Sequence, residues 1–472
     1  MRRVFSIILL ILSSFCSFGQ EFLSDTVLAH ASVSIFIADT KTGEIVMEYN
    51  PEKSLAPASV MKLITSAAAL ELFGPEYRFN TILGYTGSVS KGGKLTGDIV
   101  IKGGGDPVFG SKNFPDYYLD FPDKWTEEIK KLGIKKINGR VITDDSYYDF
   151  LPVPAKWLWE DAGNYYGAGA YGASVFDNTY EIHFQTFADS SQTFITEIIP
   201  AECRFELTNR LVAAGTTDQG YVFAAPYSTN GWLAGSIPGN RADFVLKASI
   251  TDPPLLIAKM MDEKLKAAGI TISGEPTTVR LEKGKPTDPV KPVLVVNSPP
   301  LSEIIEILNH ESVNLYAEHL VKEMGKKFMN SGSTAAGIDV VYSFLDSAGA
   351  DIDGMFIEDG SGLSTLNSIN TKGLVTLLIY MKNNGKYFED YLNSFPDAGK
   401  EGTMKSYFRD DIFATRLKAK SGSMTRVRSY AGYLTTNSGK ELAFAVIVND
   451  FTGPSRNVAT LIEGMLKEVI LE

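Results

Sequence analysis

The chain has 472 residues, 44% of them hydrophobic and 21% charged, an ordinary globular composition with room for two or three domains. A net charge of -11 without any basic run argues against nucleic acid and anionic membrane surfaces as partners. Two cysteines and four histidines, none at metal-ligand spacing, argue against a disulfide framework and a metal centre, and no cofactor is expected.

Arg2 and Arg3 precede an apolar run over residues 4–12 and a small, polar stretch ending Ser17-Phe18-Gly19. This pattern predicts a secretory signal peptide over residues 1–19, cleaved after Gly19. The apolar run is short of the roughly 20 residues that span a bilayer. A lipoprotein signal ending at Cys16 is disfavoured by the bulky Phe15 before it. The expected location is therefore outside the cytoplasm: periplasmic, soluble or peripherally membrane-associated, with no transmembrane anchor after signal cleavage. Cys203 is then the one thiol of the mature chain.

In residues 32–38, Val33, Ile35 and Ile37 alternate with Ser32, Ser34 and Phe36, which predicts a strand. Ile45, Met47 and Tyr49 repeat the alternation, and residues 39–43 between the two runs have hairpin-turn chemistry. Pro57 opens a predicted helix that Gly74 and Pro75 stop, apolar nearly all round and therefore buried between layers. From residue 83 glycines punctuate short β-like runs such as 98–102 and 139–142, with one helical stretch at 125–132. More strand-and-turn sequence continues to about residue 290. Helical periodicity returns at 301–308, 315–324 and 371–383. Strands at 428–434 and 441–449, linked through Asn437-Ser438-Gly439, and a helix at 456–470 close the chain. The expected organisation is a catalytic domain in two parts, 20–82 and 291–472, interrupted by one or two β-rich inserted domains over 83–290.

Three short motifs carry the chemistry, and context selects among their copies. Ser-x-x-Lys occurs at Ser59/Lys62 and at Ser88/Lys91, but Gly92-Gly93 after the second will not hold a helix. Ser59 and Lys62 fall in the first turn of the apolar helix, where residues three apart share a face. An electropositive helix end and a second cation would favour a neutral Lys62 able to accept the serine proton. An ordinary buried serine with a snorkelling lysine is the structural alternative.

Ser-x-Asn occurs at Ser312-Val313-Asn314 between two helical stretches, where it is either a pair of cleft-facing polar groups or a helix cap. Copies at Ser228/Asn230 and Ser368/Asn370 compete with it. The literal Lys-Thr-Gly at 41–43 reads as a turn. Lys420-Ser421-Gly422-Ser423 instead ends a basic alternating segment, where a strand edge could supply a cation and a hydroxyl for a carboxylate. There Gly422 would permit close approach, and the Ser423 N–H could face a developing oxyanion.

In this order the motifs follow the pattern of penicillin-binding proteins and serine β-lactamases. More specifically, the chain resembles the D-alanyl-D-alanine carboxypeptidase/endopeptidase family of class C low-molecular-mass penicillin-binding proteins. Supporting stretches are Lys102-Gly103-Gly104-Gly105-Asp106-Pro107, Asp144-Asp145-Ser146 and Asn297-Ser298-Pro299-Pro300-Leu301. Two more are Asn314-Leu315-Tyr316-Ala317-Glu318 and Asp359-Gly360-Ser361-Gly362-Leu363-Ser364. The likeness runs from about residue 30 to the end, and a large insert between the first and second motifs is typical of that family.

The resemblance implies an α+β, β-lactamase/transpeptidase-like (penicillin-recognising) catalytic domain that acts on peptidoglycan stem peptides and is inhibited by β-lactam antibiotics. It implies hydrolysis of D-Ala-D-Ala ends, with D-Ala–diamino-acid crosslinks as a further option. Ser59 would become acylated, Lys62 would take its proton, and Ser312 and Lys420 would relay a proton to the leaving group. Asn314 would hold the substrate amide, Lys420 and Ser421 the terminal carboxylate, and the N–H groups of Ser59 and Ser423 the oxyanion.

The segment Trp157-Leu158-Trp159-Glu160-Asp161 with Tyr166 resembles the insert segment that recognises the free end of the stem-peptide side chain. Asp161 would pair with an ammonium there, and a packing loop is the alternative reading. Two positions depart from the pattern: serine replaces the commoner threonine at 421, and Thr365 stands where relatives often have arginine. A serine β-lactamase is the nearest rival, yet no convincing Glu-x-x-Leu-Asn loop is found, and Tyr391-Leu392-Asn393 falls after Ser312, out of order. A non-catalytic peptidoglycan sensor on the same fold would have no need of Lys62.

Overall fold

The alternation of Val33, Ile35 and Ile37 with Ser34 and Phe36 becomes strand β1 (Ser32–Asp39) of a five-stranded antiparallel sheet. The computed structural model describes residues 22–118, 120–203, 205–284 and 289–472; the expected signal peptide, 1–19, lies outside them. The other strands are β2 (Ile45–Tyr49), β3 (Leu417–Met424), β4 (Val427–Thr435) and β5 (Glu441–Asn449), in the order β3-β4-β5-β1-β2. Asp39 Oδ1 accepts from the N–H groups of Lys41 and Thr42 at 2.9 and 2.7 Å, so Lys41-Thr42-Gly43 is the β1–β2 turn.

Both faces of this sheet are covered. On one face Val33, Ile35, Ile37, Phe444, Val446 and Val448 pack with Val458, Ile462, Leu466 and Ile470 of the C-terminal helix Ser455–Leu471. On the other, the helix Thr371–Asn384 bonds to the sheet: Ser34 Oγ lies 2.7 Å from Thr371 Oγ1, and the Tyr433 hydroxyl donates to the Leu378 carbonyl at 2.8 Å. A sheet buried on both sides reads as nearly continuous apolar sequence, which is why β4 and β5 alternate weakly.

The helix α1 (Met61–Phe73) is buried at every position from Met61 to Leu70. Each buried leucine or isoleucine there contributes about 2 kcal/mol of transfer free energy. Gly74, at φ 82°, ends it with its N–H on the Leu70 carbonyl at 2.8 Å.

The chain parts into two compact units. The first comprises residues 22–76 with Leu301–Val313 and Ile338–Glu472; the second comprises Tyr77–Pro300 and Asn314–Gly337. Against the sequence-based divisions at 82/83 and 290/291, strands Asn80–Tyr85 and Lys291–Asn297 pair with each other inside the second unit. Helix Asn314–Phe328 also groups there, although its sequence follows the second motif directly.

The second unit is not uniformly β. Helix Pro253–Ala267 interrupts the stretch read as strand and turn, started by Asp252, whose side chain accepts from the Leu255 N–H at 3.2 Å. Helix Thr334–Ser347 is likewise absent from the sequence reading, because Gly337 and its serine-rich start weaken the signal. No helix among the described residues is long and apolar enough to cross a membrane.

Candidate active site

The predicted helix start is divided in two. Ser59 sits in a 3-10 turn, Ala58–Val60, and Lys62 in the first turn of α1, a correction to one continuous helix from Pro57. Ala58 has φ 49°, a left-handed conformation unfavourable for a residue with a Cβ, and it is fully buried. Lys62 is fully buried, with its Nζ 3.1 Å from Ser59 Oγ and 2.7 Å from the Ser361 carbonyl to which it donates. A serine hydroxyl this close to a buried amine can lose its proton to it once the amine is neutral.

Edge strand β3 supplies the second amine. Lys420, also fully buried, donates to Ser312 Oγ and to the Ser421 carbonyl, each at 2.9 Å. Burial pushes its pKa well below the ordinary lysine range, and the charges of Lys62 and Arg428 push the same way, against a smaller opposite pull from Glu311. Ser312 is held at φ 59°, two residues after helix Leu301–His310, and its hydroxyl is engaged by Lys420. Ser421 donates to Thr403 Oγ1 at 2.9 Å, while Ser423 is exposed opposite Arg428.

Gly422 is fixed by sterics. A Cβ there would lie 2.2 Å from Ser429 Oγ, 2.8 Å from the Pro57 carbonyl and 3.0 Å from the Ser59 nitrogen. No side chain fits, so the strand passes directly against the backbone of the serine turn.

Several contributors to this arrangement carried no assigned role in the sequence. The Asp359–Ser364 loop provides the Ser361 carbonyl under Lys62. Asp359, fully buried, holds the loop by accepting from the N–H groups of Gly362 and Ser364 at 2.7 and 2.6 Å. Thr65 of α1 ties it down through the Gly360 carbonyl at 2.7 Å. Gly362, at φ 83°, could not carry a Cβ, which would meet the Ala58 carbonyl at 1.9 Å. Arg428, whose guanidinium lies 4.1 Å over the Tyr407 ring and bonds the Tyr430 hydroxyl, and Thr403 complete the surroundings of Lys420 and Ser421. Only the clustering Asp-Gly-Ser-Gly pattern pointed to any of them beforehand.

In the second unit, Asn314 begins its helix and donates from Nδ2 to the Tyr166 carbonyl at 2.8 Å. The Tyr166 hydroxyl bonds the Asp161 carboxylate. Burial raises the pKa of Asp161, helped by the charge of Glu160 and opposed by the Tyr166 hydrogen bond. Asn314, Tyr166 and Asp161 thus form one chain of contacts, with Trp157 buried beside them in sequence.

The competing motif copies have structural duties. Asn370 caps the Thr371–Asn384 helix by accepting from the Gly373 N–H at 2.6 Å. Ser228 donates to the Ala225 carbonyl at 2.7 Å, and Ser88 lies in a two-residue strand rather than a helix.

The chain is 29% identical over 448 residues to a D-alanyl-D-alanine carboxypeptidase of Actinomadura sp. (strain R39), covering 92% of this chain and 80% of that one. It is 24% identical over 455 residues to the D-alanyl-D-alanine carboxypeptidase DacB of Haemophilus influenzae, covering 93% and 90%. Its fold matches the crystal structure of penicillin binding protein 4 (dacB) from Haemophilus influenzae with a TM-score of 0.82 at 21% identity, over 97% of this chain and 99% of the other. The α+β, β-lactamase/transpeptidase-like fold is therefore that of a penicillin-binding protein. Because the match to the D-Ala-D-Ala carboxypeptidase 3 (S13) family extends over residues 20–468, nearly the whole sequence, the chain belongs to that family.

Proposed function

We propose that this carboxypeptidase hydrolyses the D-Ala-D-Ala end of peptidoglycan stem peptides through an acyl-enzyme on Ser59. The observation that carries the reading is the fully buried Lys62 amine 3.1 Å from Ser59 Oγ. A neutral amine has two N–H groups and one lone pair. With one N–H on the Ser361 carbonyl, the lone pair can turn towards the serine hydroxyl.

Lys62 takes the proton as Ser59 Oγ attacks the carbonyl of the penultimate D-alanine. The N–H groups of Ser59 and Ser423 receive the oxyanion. The proton that Lys62 takes is relayed through Lys420, whose burial and cationic neighbours favour its neutral form, and Ser312 to the departing D-alanine amine. Lys420 and Ser421 hold the terminal carboxylate, Asn314 the substrate amide, and water then hydrolyses the ester. Such proton transfer contributes about 10^2- to 10^4-fold in rate. Asp161 pairs with the ammonium of the stem-peptide side chain and Tyr166 packs beside it. A β-lactam acylates Ser59 in the same way and stalls the cycle. The leader over residues 1–19 delivers the chain to the periplasm, where that substrate lies.

Mass spectrometry after incubation with benzylpenicillin, with Ser59→Ala alongside, tests the reading. A long-lived adduct on the Ser59 peptide, absent from the variant, is expected. Rapid drug loss without an adduct would indicate a β-lactamase, and neither adduct nor drug loss a non-catalytic sensor.

A further inference from the structure

One of two four-stranded sheets in the second unit presents an aromatic face to solvent. Its strands Gln219–Phe223 and Asn230–Ile237 pair antiparallel, with Phe223 opposite Trp232 and Tyr221 opposite Ala234. Val222 and Leu233, on the other face, are completely buried. Trp232 remains 38% and Tyr221 37% exposed, and Trp159 from the preceding loop 52%. The rings form one strip: Trp159 to Trp232 centroids are 6.1 Å apart, Trp232 to Phe223 5.4 Å at 11° between planes, and Phe223 to Tyr221 6.3 Å. An exposed aromatic cluster of this kind marks a binding surface.

The neighbouring strand decides what it binds. Glu206–Asn209 pairs parallel to the Trp232 strand, with Thr208 beside Trp232. Glu206, Thr208 and Arg210 are exposed at alternate positions, and with Trp232 they line a hollow of about 480 Å³. Flat rings beside a row of hydrogen-bonding side chains of both charges suit a pyranose chain, whose sugar faces are apolar and whose edges carry hydroxyl and amide groups. An anionic lipid surface would call for a group of lysines and arginines, and this face mixes Glu206 with Arg210.

The strip also runs into the segment assigned to the stem peptide. Trp159 lies two residues before Asp161, and Tyr221 neighbours the Tyr166 side chain. We infer that this face binds the β-1,4-linked amino-sugar strand of peptidoglycan, the backbone from which the stem peptide hangs. The inference rests on the proposed substrate, since that polymer joins the two ligands covalently.

The test uses the full chain in a Ser59→Ala background, so that catalysis does not enter. Peptide-free glycan strands and oligomers of β-1,4-linked N-acetylglucosamine are titrated by calorimetry and tryptophan fluorescence. Saturable binding is expected, weakened about tenfold or more by Trp232→Ala and restored to within about threefold by Trp232→Tyr, which keeps a flat ring. Absence of binding in the parent chain, or equal binding by Trp232→Ala, would overturn the inference. Binding to phosphatidylglycerol vesicles in place of glycan, lost in Trp232→Ala, would overturn it in favour of a membrane face. Penicillin adduct formation with Ser59 intact reports the proposed reaction separately, so either reading can fail without the other.

Discussion

Two fully buried lysines, one in each unit, show how differently the same burial can be resolved. Lys322 of the second unit places its Nζ 2.7 Å from Asp149 Oδ1 and 2.8 Å from the Leu151 carbonyl. Burial lowers its pKa, but the Asp149 carboxylate pulls it back. Among the described residues, Lys420 of the first unit bonds neutral oxygens alone, Ser312 Oγ and the Ser421 carbonyl, and its neighbours Lys62 and Arg428 repel its charge. Burial alone therefore does not decide how strongly an amine is pushed towards its neutral form. Burial without a bonded carboxylate favours that form, because no bonded opposite charge offsets the cost of desolvating the amine's own.

The largest effect that would sharpen this contrast lies at the other amine of the first unit. Lys62→Ala is expected to slow acylation by benzylpenicillin about 10^4-fold, with the fold intact by circular dichroism. A change under tenfold would break the assignment of that amine to catalysis.

Asp149→Asn should cost about 3 kcal/mol in urea unfolding, because it strands Lys322 as a buried, unpaired charge. The loss should be greatest near neutral pH. It should shrink towards pH 10.5, where the unfolded lysine also gives up its proton.

Gly422→Ala should lower the acylation rate about 10^2-fold and destabilise by about 2 kcal/mol, since its methyl group would strike Ser429, Pro57 and Ser59. Stopped-flow acylation with thermal melting separates the two effects.

The smallest change in stability, and the most telling, is expected of Lys420→Met. Removing an amine that folding forces towards neutrality should stabilise the protein by about 1 kcal/mol while abolishing turnover of D-Ala-D-Ala peptides. The sign follows from the lowered folded-state pKa. The unfolded chain binds the extra proton, so the penalty is present below the ordinary lysine value and fades as pH rises to about 10.5. A variant less stable than the parent at pH 7 would show that Lys420 is charged and satisfied in the folded state.

Much of the first unit was legible in the sequence because its elements are regular. The strand at 441–449 coincides with β5, and the closing helix at 456–470 extends by one residue at each end. The helix at 371–383 extends by one, to Asn384. Elements whose signals are local but irregular were harder to read. Helix Pro253–Ala267 follows a capped Asp-Pro-Pro start that resembles the turns around it, and Thr334–Ser347 contains Gly337, where a Cβ would strike the Val321 carbonyl at 1.9 Å. The glycine that weakens its helical propensity is demanded by close packing.

At the candidate site, the motif residues could be named from their context and the family resemblance, but their carbonyl and hydroxyl partners could not. Ser361 supplies a backbone oxygen, and a backbone oxygen has no sequence signature. Thr403 meets Ser421 across 18 residues and Lys420 meets Ser312 across 108, distances at which spacing carries no information.

The sequence by itself determined that Ser59 and Lys62 meet, because residues three apart beside a helix start share a face whatever surrounds them. It also determined the buried character of α1 and the turn at Lys41-Thr42-Gly43, both local consequences of composition. Only the tertiary structure decided the surroundings of Lys420 and the grouping of Asn314 with Tyr166 and Asp161. It likewise decided which aromatic rings stay in water. Each of these depends on which distant segments exclude solvent from one another, and that is a property of packing that no local pattern encodes.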